Sequence, residues 1–192
     1  MMIRLSNAFE QIQFLAYEFK GMVNKRPWRY ISVLFAPAFW AIFTYRLERF
    51  FYLIFGRPWA IIRILFLPIL FISQPWRGNC EIHYTAKVGR GLKILHPSLG
   101  VVVSGKTIAG QNLILTGGNC IGGRKALEHG DICIGDNVSL GANAVILGPI
   151  IMGNNVMIGA GAVVVKNAND GEVLIGVPAH PIEVKSSEKS TL

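Results

Sequence analysis

The feature that most constrains the fold is a six-residue period in the second half of the chain. Aliphatic residues recur at every sixth position from Ile134 to Val164, and a small or aliphatic residue follows each of them four positions later. The first series is Ile134, Leu140, Ile146, Met152, Ile158 and Val164, and the second is Val138, Ala144, Ile150, Val156, Ala162 and Ala168. A period of six fits neither an α-helix nor an alternating strand. It indicates a coil with three short flat faces, one hexad on each, and about eighteen residues per turn.

The same period continues upstream, with two interruptions. The upstream aliphatic positions are Ile82, Val88 and Ile94 and, after a shift of two residues, Val102, Ile108 and Ile114. The second interruption is residues 119–133, which we expect to be extruded as a loop, because extra residues do not fit within a regular coil. The hexads predict a mainly β domain of about four coils over residues 80–182, with Gly and Asn at its corners. The polar residues 183–192 are predicted to form a C-terminal tail.

Residues 1–79 differ from the rest of the chain in charge and hydrophobicity. They contain ten Lys and Arg against three Glu, whereas residues 80–192 contain nine basic and eight acidic residues. The basic residues are interleaved with Phe, Ile and Leu, and all four Trp lie in this part. Such a mixture favours an anionic membrane surface over nucleic acid, because amphipathic aromatic side chains prefer the level of the lipid headgroups. We therefore expect a membrane interface through residues 1–79 and no nucleic-acid partner.

The apolar runs of this region predict helices. Residues 1–20 have the spacing of a short amphipathic helix, with Phe9, Ile12, Ala16 and Phe19 on one face. The runs 30–45 and 64–73 are interrupted by Pro37 and Pro68, so neither supplies the roughly 20 apolar residues of a spanning helix. We expect two or three helices that lie in, or dip into, one leaflet of the membrane. The alternative is a soluble helical cap that packs on the β domain or on another subunit.

The number and spacing of the cysteines indicate whether the protein belongs to a reducing or an oxidising compartment. There are three, an odd number, and no two have the CxxC spacing of a zinc ribbon. The start of the chain lacks the basic segment, apolar run and cleavage site of a signal peptide. These features favour a reducing compartment, and we expect a cytoplasmic protein at the inner face of the cytoplasmic membrane.

Residues 80–182 resemble the hexapeptide-repeat acyltransferases, which fold as a left-handed parallel β-helix. Within them, the chain is similar to the serine acetyltransferase branch and its relatives that acetylate surface polysaccharides. The matching stretches are Glu81–His83, Ala86–Gly91, Ile94–Pro97, Thr116–Gly118, Ile158–Gly161 and Gly176–Ala179. The resemblance implies transfer of an acetyl group from acetyl-coenzyme A to a hydroxyl, and a homotrimer whose active sites are shared between neighbouring subunits.

The resemblance also implies the roles of individual residues. His96 matches the general base, and imidazole suits that role because its pKa is ordinarily near neutrality. Glu81, where the family usually has Asp, would orient His96 and stabilise its imidazolium. His129 matches a loop histidine that helps to bind the acceptor. The coenzyme would lie along Gly117, Gly118, Ala142 and Ala160, whose small side chains leave the backbone accessible, with Lys166 near a phosphate. No metal is expected.

Two departures from the family bear on the acceptor. In the serine enzymes an Asp directly precedes the general base and an Arg directly precedes the loop histidine, but Leu95 and Glu128 stand at these positions here. A free amino acid would then lack partners for its charges. We therefore expect a hydroxyl of a surface-polysaccharide or glycan precursor as acceptor, with L-serine as the main alternative. A non-catalytic structural trimer, or a carbonic-anhydrase-like metalloenzyme using His83, His96 and His129, is less favoured.

Overall fold

Five α-helices precede fifteen short strands in this computed structural model, which describes residues 2–24 and 28–182. The helices are α1 (Met2–Val23), α2 (Arg29–Leu34), α3 (Pro37–Phe55), α4 (Trp59–Ile62) and α5 (Leu67–Ile72), and 3-10 turns span Arg63–Phe66, Pro75–Arg77 and Pro97–Leu99. Helices α3 and α5 each have a proline in the first turn, where its missing N–H costs no hydrogen bond. The predicted tail, residues 183–192, lies outside the described residues.

The strands stack into three parallel sheets that form the faces of a β-helix. The strands are β1 (Cys80–Ile82), β2 (Lys87–Val88), β3 (Lys93–Ile94), β4 (Val101–Val103), β5 (Thr107–Ala109), β6 (Ile114–Leu115), β7 (Asn119–Gly123), β8 (Ile132–Ile134), β9 (Ser139–Leu140), β10 (Val145–Gly148), β11 (Ile150–Met152), β12 (Met157–Ile158), β13 (Val163–Val164), β14 (Val173–Ile175) and β15 (His180–Ile182). The first sheet has the order β1-β4-β7-β10-β13, the second β2-β5-β8-β11 and the third β3-β6-β9-β12-β14-β15. Only the β14–β15 pair is antiparallel among the described strands. The predicted parallel β-helix is therefore confirmed.

The register reproduces the predicted turn length. Val103 pairs with Ile121, and Ile146 pairs with Val164, so equivalent residues of successive coils lie eighteen positions apart at both places. The two predicted series from residue 134 onward are buried throughout and form the core of the coil. Each hexad thus contributes one strand, and each strand is hydrogen-bonded to its neighbours in the same sheet.

The predicted phase of the second coil is wrong by one residue. The side chains that point inward are Val103, Ala109 and Leu115, whereas Val102, Ile108 and Ile114 point outward, and Val102 is 47% exposed. The cause is the 3-10 turn Pro97–Leu99, which adds three residues to the coil instead of two. Because strand side chains alternate between faces, a shift of one residue reverses every one of them.

The predicted loop, residues 119–133, is narrower in the structure. The first residues of this segment belong to β7 and its last residues belong to β8. Only residues 124–131 lie between the two strands. Asn119 occupies a buried inner position, which the hexad pattern does not reveal because the side chain is polar. Its Nδ2 donates to the carbonyl of Gly141 at 2.7 Å, and its Oδ1 accepts from the N–H of Gly117 at 2.9 Å. These bonds compensate for the burial of the amide.

Helices α1 and α3 pack on the first coil around a buried arginine. Arg46 of α3 is 1% exposed, and it donates to both carboxylate oxygens of Glu18 on α1, at 2.6 and 3.2 Å. It also donates to the side chain of Gln11 and to the carbonyls of Val88 and Gly89. All five guanidinium N–H groups therefore have acceptors, and one side chain joins two helices to the β-helix.

This arginine also determines which face of α1 turns inward. Gln11 and Glu18 are buried beneath the helix, whereas Phe9 and Ile12 of the predicted apolar face are 58% and 51% exposed. The predicted apolar face therefore points away from the β-helix, and the buried face also contains Ala8, Leu15 and Met22. Within residues 2–24 and 28–182, none of the helices combines the length and the hydrophobicity needed to cross a membrane.

Candidate active site

One edge of the β-helix brings together most of the predicted site residues. At this edge, which we call the His96 edge, the chain turns from the third sheet into the first. His96 follows β3, Gly117 and Gly118 follow β6, Ala142 follows β9 and Ala160 follows β12. Backbone hydrogen bonds join successive corners: the N–H of His96 donates to Thr116 at 2.7 Å, that of Asn143 to Gly117 at 2.8 Å and that of Gly161 to Ala142 at 2.8 Å. The predicted base therefore lies at one end of a column of small residues.

The corner at His96 depends on a glycine beneath it. The His96 side chain is exposed, and the 3-10 turn Pro97–Leu99 carries the chain from it towards β4. Gly117 has a φ of +137°, and a Cβ at this position would collide with the carbonyl oxygen of His96. Only glycine adopts this conformation and leaves the space. The exposed imidazole thus stands on a closely stacked backbone.

Glu81 lies close to the start of the same edge, but it is not joined to His96. It is exposed on β1, next to Cys80, whose Sγ lies 3.6 Å from the carbonyl oxygen of Pro97. Among the described residues, no hydrogen bond links the side chains of Glu81 and His96. Glu81 instead lines a cleft of about 630 Å³, whose opposite wall includes Leu67 and Phe71.

The other predicted residues lie on a different edge. At this edge, which we call the loop edge, the chain turns from the first sheet into the second. His129, in the loop 124–131, lies here, as do His83, Lys106 and Lys166. A three-residue strand such as β4 spans roughly 10 Å, so the first sheet separates these residues from His96. Within one chain, the structure therefore does not bring His129 or Lys166 to His96.

The three histidines of the metalloenzyme alternative are likewise divided between the two edges. His83 places Nδ1 2.8 Å from Oγ1 of Thr85, and its ring stacks on Tyr84. Burial lowers the pKa of His83, and the nearby cationic Arg63 acts in the same direction. Residues 2–24 and 28–182 contain no group of three or more His, Cys, Asp or Glu with the geometry of a metal site.

Sequence reasoning missed two contributors to these surfaces. Asn119 joins the corners at Gly117 and Gly141, and its only signal in the sequence is a polar residue two positions before the inward-facing Ile121. Arg49 of α3 is buried against the loop edge and donates to the carbonyls of Tyr84 and Thr85. Its signal in the sequence is that it is one of three charged residues, Arg46, Glu48 and Arg49, within a helix that is otherwise largely apolar.

Comparisons with known proteins match the β-helix to one family. The family profile described as Bacterial transferase hexapeptide (six repeats) matches residues 133–166. Serine acetyltransferase from Helicobacter pylori (strain ATCC 700392 / 26695) is 37% identical over 86 residues, which amount to 35% of this chain and 50% of that protein. The chain thus spans about half the length of the curated relatives it matches.

Two solved structures extend the likeness to the helices. Neisseria gonorrhoeae serine acetyltransferase has a TM-score of 0.75 at 30% identity, over 96% of this chain and 70% of that one. The same enzyme in complex with serine has a TM-score of 0.71 at 28% identity, over 94% and 72%. The hexads, the parallel β-helix and these matches together show that the chain belongs to the hexapeptide-repeat acyltransferases, in the branch of the serine acetyltransferases.

Proposed function

We propose that the protein transfers an acetyl group from acetyl-coenzyme A to a hydroxyl group, with His96 as general base. The observation that carries this proposal is the exposed imidazole at the end of the column of small residues. As the hydroxyl oxygen attacks the thioester carbonyl, His96 takes its proton. The tetrahedral intermediate then expels the coenzyme thiolate, which receives that proton from the imidazolium. The products are an acetyl ester and free coenzyme A.

The His96 edge suits the pantetheine arm of the donor. The small side chains of Gly117, Gly118, Ala142 and Ala160 let a ligand approach the backbone closely. Lys166 lies on the loop edge, so it reaches a phosphate of this coenzyme only from a neighbouring subunit. His129 also lies on the loop edge, so it reaches an acceptor at His96 only from a neighbouring subunit. We therefore propose a homotrimer in which the His96 edge of one chain faces the loop edge of the next.

L-serine is the acceptor that the comparisons favour, in place of the glycan expected from the sequence. The matched relatives are named serine acetyltransferases, and one solved structure is a complex with serine. A glycan hydroxyl remains the second candidate because of two observations. Leu95 is 53% exposed directly before His96, where a carboxylate would pair an ammonium group. One side of the cleft at Glu81 carries the apolar residues Ile64, Leu67 and Phe71, beside Arg63 and Arg77, which suits an acceptor attached to an anionic lipid.

Release of free thiol from acetyl-coenzyme A tests both candidates. The acceptors are L-serine, neutral oligosaccharides and a lipid-linked oligosaccharide, and the control is His96→Ala. Saturable release with L-serine alone assigns the amino acid, and release with a glycan alone assigns the second candidate. If no acceptor raises the rate above that of His96→Ala, the proposed function is wrong.

We also propose that the segment 59–76 binds the surface of an anionic bilayer. Large apolar side chains are exposed from Ile61 to Trp76, including Leu65 at 78% and Phe71 at 76%. The full set is Ile61, Ile64, Leu65, Phe66, Leu67, Ile69, Phe71, Ile72 and Trp76. Between Phe19 and Cys80 the only acidic residue is Glu48, which is paired with Arg63 at 2.7 Å. An apolar surface surrounded by unbalanced positive charge matches an anionic membrane.

Co-sedimentation with vesicles tests this proposal. We expect the full chain to pellet with phosphatidylglycerol vesicles and to bind phosphatidylcholine vesicles less. The double variant Leu65→Glu/Phe71→Glu should stay in the supernatant. The matched control is Ile151→Glu, an exposed apolar position on the β-helix, which should still pellet. If the wild-type chain does not bind, the proposal is wrong. If the double variant binds like the wild type and only changes the oligomeric state, the surface contacts another subunit instead.

A further inference from the structure

A cleft on the loop edge is lined by basic side chains and by no carboxylate. This basic cleft has a volume of about 800 Å³ and lies between the end of α3 and the corners of the first two coils. Its cationic residues are Arg4, Arg49, Arg57 and Lys106, and His129 lines it as well. It therefore concentrates positive charge from α1, from α3 and the turn that follows it, and from the β-helix.

One of these side chains is buried with an unmet donor. Arg49 is 8% exposed, and its Nη1 donates to the carbonyls of Tyr84 and Thr85 at 3.2 and 3.3 Å. Its buried Nε has no acceptor among the described residues. Burial lowers the pKa of Arg49, as expected for a charge removed from water. A buried donor without a partner is costly, and an anion would remove that cost.

The other basic groups of the cleft also lack anionic partners. Among the described residues, the side chains of Arg4, Arg57 and Lys106 form no hydrogen bond and no ion pair. By contrast, Arg46 and Arg63 are paired with Glu18 and Glu48. The basic cleft is therefore a cluster of positive charges whose counter-ion is not supplied by the described part of the chain.

A neighbouring cleft differs from the basic cleft in that carboxylates line it as well. It has a volume of about 760 Å³, shares Arg49 with the basic cleft, and also contains Lys87. Two carboxylates, Glu10 and Asp136, line it as well. Its basic groups thus lie near acidic ones. Lys87 consequently offers a matched control for a basic side chain close to Arg49 but outside the basic cleft.

We propose that the basic cleft binds an oxyanion, either a phosphate or a carboxylate, with Arg49, Arg57 and Lys106 as donors. Guanidinium groups form paired, charge-assisted hydrogen bonds with both kinds of oxyanion. The donors Arg49, Arg57 and Lys106 belong to one chain, so the anion site itself does not require the trimer. In the proposed trimer the loop edge, with His129, would face the His96 edge of a neighbouring chain. The anion comes either from free phosphate or from the carboxylate of an acidic sugar.

Calorimetric titration of the full chain distinguishes these sources. The probes are inorganic phosphate, galacturonate and, as the neutral counterpart of galacturonate, galactose, all at one ionic strength. We expect saturable binding of phosphate or galacturonate, and no binding of galactose. Arg57→Gln/Lys106→Gln should weaken that binding by on the order of tenfold or more, because two charged donors are lost. Lys87→Gln should leave it unchanged.

Each outcome decides the proposal. Binding of phosphate alone assigns a phosphate site, and binding of galacturonate with or without phosphate shows that the cleft accepts a carboxylate. The proposal is wrong if neither anion binds, or if Lys87→Gln weakens binding as much as the double variant. An unchanged melting temperature of the double variant shows that folding is intact. Thiol release at His96 is measured separately, so the proposed function can fail while the anion site stands.

Discussion

At the scale of single residues, His96 and Glu81 have unequal parts in the proposed reaction. We propose that His96 handles the proton directly, whereas Glu81, which has no direct bond to it in the described structure, is proposed as a positioning residue only. We expect His96→Ala to lower kcat by roughly 10²–10⁴-fold while the dissociation constant of coenzyme A stays unchanged. Glu81→Gln should lower kcat less and shift the pH profile, because it alters support for the imidazolium. Equal losses in both variants would contradict this division.

Cys80 gives a second prediction at this scale. Burial raises the pKa of its thiol to about 11, despite the opposing charge of Arg77. Since the thiolate is the reactive form, Cys80 should be alkylated at pH 8 on the order of 100-fold more slowly than an ordinary thiol. Cys120 and Cys133, which are half-buried, serve as internal references. Mass spectrometry of the native and the unfolded chain checks this, and equal native rates would contradict it.

The same shift predicts a loss of stability at high pH. The folded state holds the thiol protonated more strongly than the unfolded state, whose thiol has an ordinary pKa near 9. The contribution of Cys80 is therefore fully present below pH 9 and is lost as the pH rises towards about 11.

At the scale of structural elements, the corners determine the shape of the candidate site more than the strands do. Gly117→Ala should displace the His96 corner, because the added methyl meets the His96 carbonyl in a conformation that disfavours side chains. Gly161→Ala is the matched control, since Gly161 also has a positive φ, of +68°, but open space around it. We expect both variants to lose some thermal stability, and only Gly117→Ala to lose most of the acetyl-transfer rate. Comparable rates in the two variants would contradict the role of this corner.

At the scale of the whole molecule, the separation of the two edges makes complementation a test of assembly. A His96→Ala chain keeps its loop edge, and a His129→Ala chain keeps its His96 edge. Refolded together in equal amounts, they should form mixed trimers in which about a quarter of the sites have both histidines, because each site draws on two chains. Activity near that fraction, from two inactive parents, is the expected result. An inactive mixture would show that each site draws both residues from one chain.

The coil and its site differ in how far the sequence predicts them. Each hexad forms its backbone hydrogen bonds with the adjacent coils, so a local repeat is enough to predict three faces, parallel strands and a turn of eighteen residues. The His96 corner is predictable for the same reason, since it belongs to that repeat. The sequence does not predict which side chains of β4 to β6 point inward. That depends on whether the turn Pro97–Leu99 adds two or three residues to the coil.

What only the tertiary structure decided involves partners that are distant in the chain. Arg46 and Glu18 lie 28 positions apart, and their pairing goes with an inward face of α1 that includes Ala8 and Leu15 and leaves Phe9 and Ile12 exposed. The separation of His129 from His96, and the convergence of basic groups on Arg49, likewise arise from how coils and helices stack. A sequence period records which residues face inward within a coil. The period does not record which corners come together at one edge, nor which face of α1 a buried ion pair turns inward. Both depend on contacts between segments that share no repeat.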